Sequence, residues 1–564
     1  MCEKWFKKRA IIGNLAFYLL ESDRISLSAR GSYFIYMGVR MVKGKQRLLL
    51  YFMMVLFIIL GGCSAGSSST KNPTDGQGTN EASEKDGTPK QGGELSVGYY
   101  SDASSYDPIL ASSGGDESLL YFVYNTLIDY GPNFEPVPAL AESWEQKDSK
   151  TYILHLRKGV TFHDGTPFNA EAVKFNIERV NSDESTKTDL QIIETIEIID
   201  DHTVALHLNT PYTGLLEVLM GPAGMMVSPA AVEKYGKDYA LNPVGTGPFK
   251  MVKRTPNTET QFERFKDYWD EGKPYLDKMT VKVLLQESTM ISALKSDQVQ
   301  VIAPISAANM QALEQSQNVV VDASSSLNYQ NIFVNTSMSP LDNKNVRLAI
   351  MHAINREQLV EAIQFGKGEP AYSPFSKDHP VYTANSVIPY DLEKAKQLLK
   401  DSGVKDLSFD MLVKPDAFSM RVGEVIQRQL KEVGIKVNLE PTEVTKLVQL
   451  AFGQPQYPAT VARAAARPDP LSVLNLYYGK SSFYNPGGNH NPEFEELMIE
   501  ASGEPDEAKR NELLGEATVK ILKEDGGGIP LFFEPMIVAM QDKVKGYEPH
   551  QYGKPRFPFL WIEE

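Results

Sequence analysis

The run Leu60-Gly61-Gly62-Cys63 divides this chain into a part that can fold and a part that is discarded. It closes an apolar stretch from Leu48 to Leu60, which follows a basic patch containing Lys43, Lys45 and Arg47. A basic segment, a short apolar segment and then small residues is the pattern of a secretory signal. Residues 1–62 therefore read as a leader, and whatever packs must lie beyond them. The chain of 564 residues contains two cysteines, Cys2 and Cys63. With Cys2 removed and Cys63 at the cut, no disulfide can form. The remaining body must be held by its apolar core, which a body of this length can supply.

A cysteine at the cut makes residues 60–63 resemble a bacterial lipobox. That resemblance implies that Cys63 is lipidated and becomes the first mature residue, so the body is anchored to the cell membrane on its extracytoplasmic face. Residues 1–36 fit no part of such a signal: Ala10 to Leu20 is apolar, but Glu21 and Asp23 follow it. A start at Met37 or Met41 gives a signal peptide of ordinary form. Residues 63–91 read as the lipidated Cys63 and a linker. Ser64 to Gln91 is rich in Ser, Gly, Thr, Asn, Asp and Lys and shows no hydrophobic period, the composition of a disordered spacer. After Cys63 there is no apolar run of the ~18 residues a membrane-spanning helix needs.

The net charge is -15, and the leader holds more basic than acidic residues, so its removal makes the body more acidic still. Such a balance argues against nucleic acid as a partner and against broad adsorption to anionic lipid. Hydrophobic and charged fractions of 42% and 23% are those of an ordinary globular protein.

The body begins at Gly92-Gly93. Alternation over Glu94 to Tyr100 predicts a strand, and Leu119, Leu120, Val123, Tyr124 and Leu127 at helical spacing predict a helix over 117–128. Strands are expected at 151–157, in a hairpin over 195–208 and at 280–285, with a helix over 170–180. The later half alternates helices (346–354, 357–363, 392–400, 420–433) with strands (407–413, 435–439). Asn355 is placed as an N-cap and Gly434 as a C-cap. Strand, helix and strand with short links predict an α/β fold.

Ala141-Glu-Ser-Trp144 followed by Thr151-Tyr-Ile-Leu-His-Leu-Arg-Lys-Gly-Val-Thr-Phe-His-Asp-Gly-Thr-Pro-Phe168 resembles the signature of the family 5 extracellular solute-binding proteins, the oligopeptide, dipeptide and nickel receptors of ABC importers. Further similarities follow in order. They include Asp107-Pro108 with Tyr124-Asn-Thr-Leu127, Gly245-Thr-Gly-Pro-Phe249 with Tyr268-Trp269, Phe333-Val-Asn335, Ala353-Ile-Asn-Arg356, Val433-Gly-Ile-Lys436 and Asp469-Pro470. The resemblance implies a two-lobed α/β, periplasmic-binding-protein-like fold (type II, cluster C), its first lobe enlarged by an inserted subdomain. Residues 92–305 would form the first lobe, 306–530 the second, and 531–564 the return to the first, with crossings near 305 and 530. It also implies capture of a small solute between the lobes, by a monomer that serves an ABC permease and its ATPase subunits.

Several matched residues read as structural: His163-Asp164-Gly165 as a turn before a helix, Gly245-Thr-Gly247 as a turn rather than a phosphate loop, and Trp144 as packing. In peptide-binding members an acidic residue shortly before the Asp-Pro pair holds the α-ammonium. Here Ala466 falls at that place and Arg463 where a Trp would lie. Arg463 and Arg467 could present guanidinium forks to an anionic group of the ligand, or pair with an acid of the other lobe. Tyr99, Tyr100, Asp102, Asp116 and Glu117 are first-lobe candidates for the cleft, with turn and cap chemistry as the alternative. Tyr477, Tyr478 and Tyr484 are aromatic candidates, with core packing as the alternative. Asp469 is a candidate contact whose rival role is to start a helix.

A peptide or peptide-like solute is the expected cargo. A non-peptide anion or a nickel chelate in the same cleft, or a role as a ligand sensor, are the alternatives. An enzyme is not expected. After Gly92 there is no Cys, no Gly-x-Ser-x-Gly elbow and no His-Glu-x-x-His motif, and the eight His are scattered. No cofactor or resident metal is expected.

Overall fold

A computed structural model describes residues 87–563, apart from 113, 132–134 and 468. The apolar stretch 48–60, Cys63 and most of the spacer lie outside the described residues. Two mixed sheets organise the body. The first orders its strands Val319–Ser324, Met536–Gln541, Val301–Ala303, Glu94–Tyr99, Lys278–Val283, Glu259–Arg264 and Phe249–Thr255. Glu94–Tyr99 lies at its centre, parallel to both neighbours. The second orders Glu369–Pro370, Ile529–Phe533, Tyr329–Val334, Ala459–Ala464, Ser408–Val413 and Lys436–Pro441. Each has its own buried apolar core, the first around Val97, Phe122 and Phe262, the second around Ile350, Met411 and Ile426.

Between Glu94–Tyr99 and Phe249–Thr255 the chain leaves the first sheet and builds a four-stranded antiparallel sheet from Ala141–Asp148, Thr151–Leu156, Thr203–Leu208 and Ile193–Asp200. This is the insertion that enlarges the first lobe. The helix Ala170–Val180 follows an Asn169 N-cap whose side chain accepts the Ala172 N–H, and its apolar face is buried under that sheet. The resulting core runs on into the second lobe, joining Leu154 and Leu206 to Leu474 and Leu514.

The boundaries correct the sequence reading. Val319–Ser324 still pairs with Met536–Gln541 in the first sheet, so the first crossing falls at 325–328 rather than near 305. Ile529–Phe533 pairs with Tyr329–Val334 in the second sheet, so the return falls at Glu534-Pro535. A β-strand's side chains cannot disclose which sheet edge takes its backbone. The helix expected over 117–128 is a single turn, Asp116–Leu120, because a tertiary partner takes the carbonyls beyond it. Gly247 N–H and Phe249 N–H donate to the carbonyls of Val123 and Phe122 at 2.8 and 2.9 Å. A Cβ on Gly245 or Gly247 would overlap the Val123 backbone, which is why that turn reads Gly-Thr-Gly.

Candidate functional site: the cleft between the lobes

Where the crossings meet the two sheets there is a cavity of about 580 Å³, within the range of small-ligand sites. Tyr99, at the end of the central first-lobe strand, and Tyr100 line it on one side. Arg463 and Ala465, at the end of the second-lobe strand Ala459–Ala464, face them. Ser326, Asn328, Glu534 and Pro535 close it at the crossings. Both sheets thus deliver strand ends to the same opening.

Charges of both signs meet there. Arg463, half exposed, stands 3.8 Å from Glu534. Lys554 lies on a loop between Gly553 and Pro555, and its ammonium donates to the Gly114 carbonyl at 2.6 Å. Burial lowers the Lys554 pKa, while Glu117 and Asp116 oppose the shift and Arg463 and Arg467 add to it. These groups therefore share one electrostatic neighbourhood. Arg467 meets Asp189 of the first-lobe insertion at 3.4 Å, the cross-lobe pairing that was its alternative reading. Burial likewise lowers Lys187, which Asp189 opposes.

The other candidates divide. The Tyr99 hydroxyl donates to the Gly115 carbonyl at 3.3 Å, and burial holds the phenol neutral well beyond its ordinary range. Asp116 organises the loop before its helix: it accepts the Ser104 and Ser112 N–H groups at 2.9 and 3.0 Å and the Ser104 hydroxyl. Asp102 is committed elsewhere, pairing Arg254 at 2.9 Å and accepting the Asn257 N–H. Tyr477 is buried, with its hydroxyl on the Ala465 carbonyl at 2.9 Å; it supports the cleft wall from behind. Tyr478 is buried beside Tyr329.

Asp469 takes the rival role. It caps the helix Pro470–Tyr478 through the Leu471 and Ser472 N–H groups at 3.0 and 2.8 Å, and it accepts the Tyr212 hydroxyl at 2.6 Å. A Cβ on Gly214 would lie 2.9 Å from that carboxylate, so glycine there permits the approach. His163 is structural as read, with Nε2 2.8 Å from the Gly247 carbonyl. At the place expected to be vacated by an acid, the Ala466 N–H donates to Asn328 Oδ1 at 3.0 Å, so the strand end is held by a crossing residue.

Sequence reasoning missed Asn328, Phe365, Phe418, Arg421, Glu534 and Lys554, all of which line the cavity. Glu534-Pro535 directly after the apolar run 529–533, and Lys554 between Gly553 and Pro555, were available signals of a loop at a strand end. Among the described residues no cluster of His, Cys, Asp and Glu is arranged to hold a metal, and no helix is long and apolar enough to cross a membrane.

Comparison with known proteins agrees with this geometry. The family model described as bacterial extracellular solute-binding proteins, family 5 middle, matches residues 135–485. The chain is 29% identical over 459 residues to the glutathione-binding protein GsiB of Pectobacterium atrosepticum, covering 79% of this chain and 89% of that one. The periplasmic binding protein DppA of Helicobacter pylori, solved with the peptide STSA, superposes with a TM-score of 0.73 at 29% identity, covering 84% and 99% of the two chains. AgaA of A. tumefaciens R10, solved with agropinic acid, gives 0.72 at 25% identity, covering 84% and 99%. The two-lobed α/β fold is thus shared, and this chain belongs to the family 5 bacterial extracellular solute-binding proteins.

Proposed function

We propose that this protein is the capturing receptor of an ABC importer, anchored through Cys63, and that its solute is a peptide or peptide-like molecule carrying an anionic group. The observation that carries the reading is the inter-lobe cavity, in which Arg463 and Lys554 stand near Glu534 at the meeting of both sheets. Cations and an acid in one chamber suit a zwitterion better than an uncharged sugar or a bare cation. The names of the relatives support the same class: one is named for glutathione, and another was solved with a tetrapeptide.

Capture proceeds by closure. A solute that touches both lobes stabilises the closed arrangement by its differential affinity. Arg463 engages the anionic group with a charge-assisted fork, and Glu534 receives an ammonium group. The closed form then docks on the permease, and ATPase subunits supply the energy. A non-peptide anion is the second reading, favoured by Ala466 at the place of the ammonium-binding acid and by the AgaA likeness. Native mass spectrometry of the chain as purified, followed by calorimetry with short peptides, glutathione and opine acids, tests both. Peptide or glutathione binding that depends on Arg463 is expected. Binding of opines alone moves the reading to the second class, and turnover of any bound solute ends the receptor reading.

A further inference from the structure

The cavity continues beyond its charged wall. The helix Ala307–Glu314 of the first lobe packs against the helix Arg356–Gln364 of the second, and where they meet the lining changes to Ile305, Ala308, Met536, Phe365 and Phe418. Phe365 and Phe418 are 48% and 37% exposed, whereas Phe333, Phe375, Phe409, Phe452, Phe532 and Phe533 of the same lobe are buried; Phe483, 49% exposed, lies outside this cavity. Two large apolar rings left partly in water on one cleft wall need an account, since scattered single residues do not gather at one opening.

Phe365 carries a second peculiarity. As the C-cap of Arg356–Gln364 it holds φ 53° and ψ 37°, the left-handed region that a bulky residue seldom occupies. Gly366 directly follows, also at positive φ, and would serve as a helix terminator without it. An unfavourable backbone at an aromatic residue beside a cavity is the kind of strain that accompanies ligand contact. The Arg421 guanidinium lies 5.7 Å from the centre of the Phe365 ring, which steadies the ring in place.

We infer that Phe365 and Phe418, facing Ile305 and Ala308, form an apolar subsite for a bulky side chain of the solute, so that the cargo is a peptide-like zwitterion with a branched or aromatic residue rather than a small hydrophilic one. The inference rests on the receptor reading above. The charged wall fixes the head group and the apolar wall takes the side chain. Closure buries the two rings, which gives a driving force that a hydrophilic solute does not recruit.

Calorimetry on the full chain with three tripeptides, identical except for a central glycine, leucine or phenylalanine, tests it. The leucine and phenylalanine peptides are expected to bind about tenfold or more tighter than the glycine peptide, the factor that burial of a large apolar side chain readily supplies. In Phe365→Asn, which suits left-handed backbone, and in Phe418→Ser, that ratio should fall toward one, with thermal unfolding as the check on folding. Equal binding of the three peptides by the parent chain overturns the subsite and leaves the receptor reading standing. A ratio preserved in both folded variants overturns it too. If none of the peptides binds, the peptide reading itself fails and the subsite falls with it. Should the variants not fold, the parent series alone decides.

Discussion

The Tyr212 hydroxyl, on the insertion of the first lobe, donates to the Asp469 carboxylate of the second lobe at 2.6 Å. Around this bond the lobes are stitched further. The Thr213 N–H donates to the Ser502 carbonyl at 3.1 Å, the Ser502 hydroxyl donates to the Pro211 carbonyl at 3.1 Å, and Arg510 meets Glu217 at 2.7 Å. Asp469 thus starts one lobe's helix and fastens the other lobe with the same carboxylate. The Asp-Pro pair serves a junction between the lobes.

Burial, with Glu217 nearby, pushes the Asp469 carboxyl up to about 6, against the lowering effect of the Tyr212 hydroxyl, Arg510 and the Ser472 N–H. The folded state then holds a proton that the unfolded chain has already released. This group favours folding most at acid pH, and its contribution declines as pH rises from 3.8 to about 6. Asp469→Asn keeps an acceptor and removes the charge. The melting temperature of the parent minus that of the variant should be larger near the acid end of this window than at neutral pH. A difference that does not change with pH would show that the carboxyl titrates normally.

His163 contributes with the opposite sign. Burial lowers it to about 4, and Lys250 adds to the shift while the Gly247 carbonyl opposes it. The unfolded chain takes up this proton first as pH falls below 6.5, so stability drops from there toward pH 4. His379 and His550, also lowered to about 4 by burial, act in the same direction. His163→Gln can still donate to the Gly247 carbonyl and has no charge to bury. Its melting temperature should therefore fall less than the parent's between pH 6.5 and 5, and an identical slope would rule out His163 as a contributor.

How much was legible in advance follows from which forces are local. The helix Ala170–Val180 has the bounds expected of it, and Asn355 caps its helix through the Gln358 N–H at 2.9 Å as read. Both rest on signals local in the chain. The crossings were misplaced because Val319–Ser324 and Ile529–Phe533 are assigned to a sheet only by partners far away in sequence, such as Met536–Gln541 and Tyr329–Val334. In the cleft, Arg463 was legible through its place relative to Asp469-Pro470. Phe365 was not, since an aromatic residue closing an amphipathic helix reads as core until its exposure is known.

The two arginines singled out from the sequence should now separate. Arg463 lines the cavity, whereas Arg467 pairs with Asp189 with 41% and 34% of the two side chains exposed. Arg463→Ala should weaken solute binding by about 2 kcal/mol, as for loss of a hydrogen bond to a charged group. Arg467→Ala removes an exposed cross-lobe pair worth up to about 1 kcal/mol and should shift affinity correspondingly less. Calorimetry with the solute identified by mass spectrometry measures both. An equal loss in the two variants would place Arg467 on the ligand as well.

The Arg510–Glu217 pair calls for a different response. The side chains are 9% and 11% exposed, and Arg510 Nε has no hydrogen-bond partner, so the pair is buried and incompletely satisfied. Removing one member strands a charge at the junction of insertion and second lobe, a loss of about 3–5 kcal/mol for a pair of this type. Glu217→Gln and Arg510→Met should each lower the urea midpoint. The double variant removes both members of the buried pair and should recover much of the loss, giving a strongly non-additive cycle. Glu217 also raises the Asp469 pKa, so Glu217→Gln should shift the Asp469 window toward the ordinary carboxylate range. Additive losses in the cycle, together with an unmoved pH profile in Glu217→Gln, would mean that the two residues do not act as a pair at this junction.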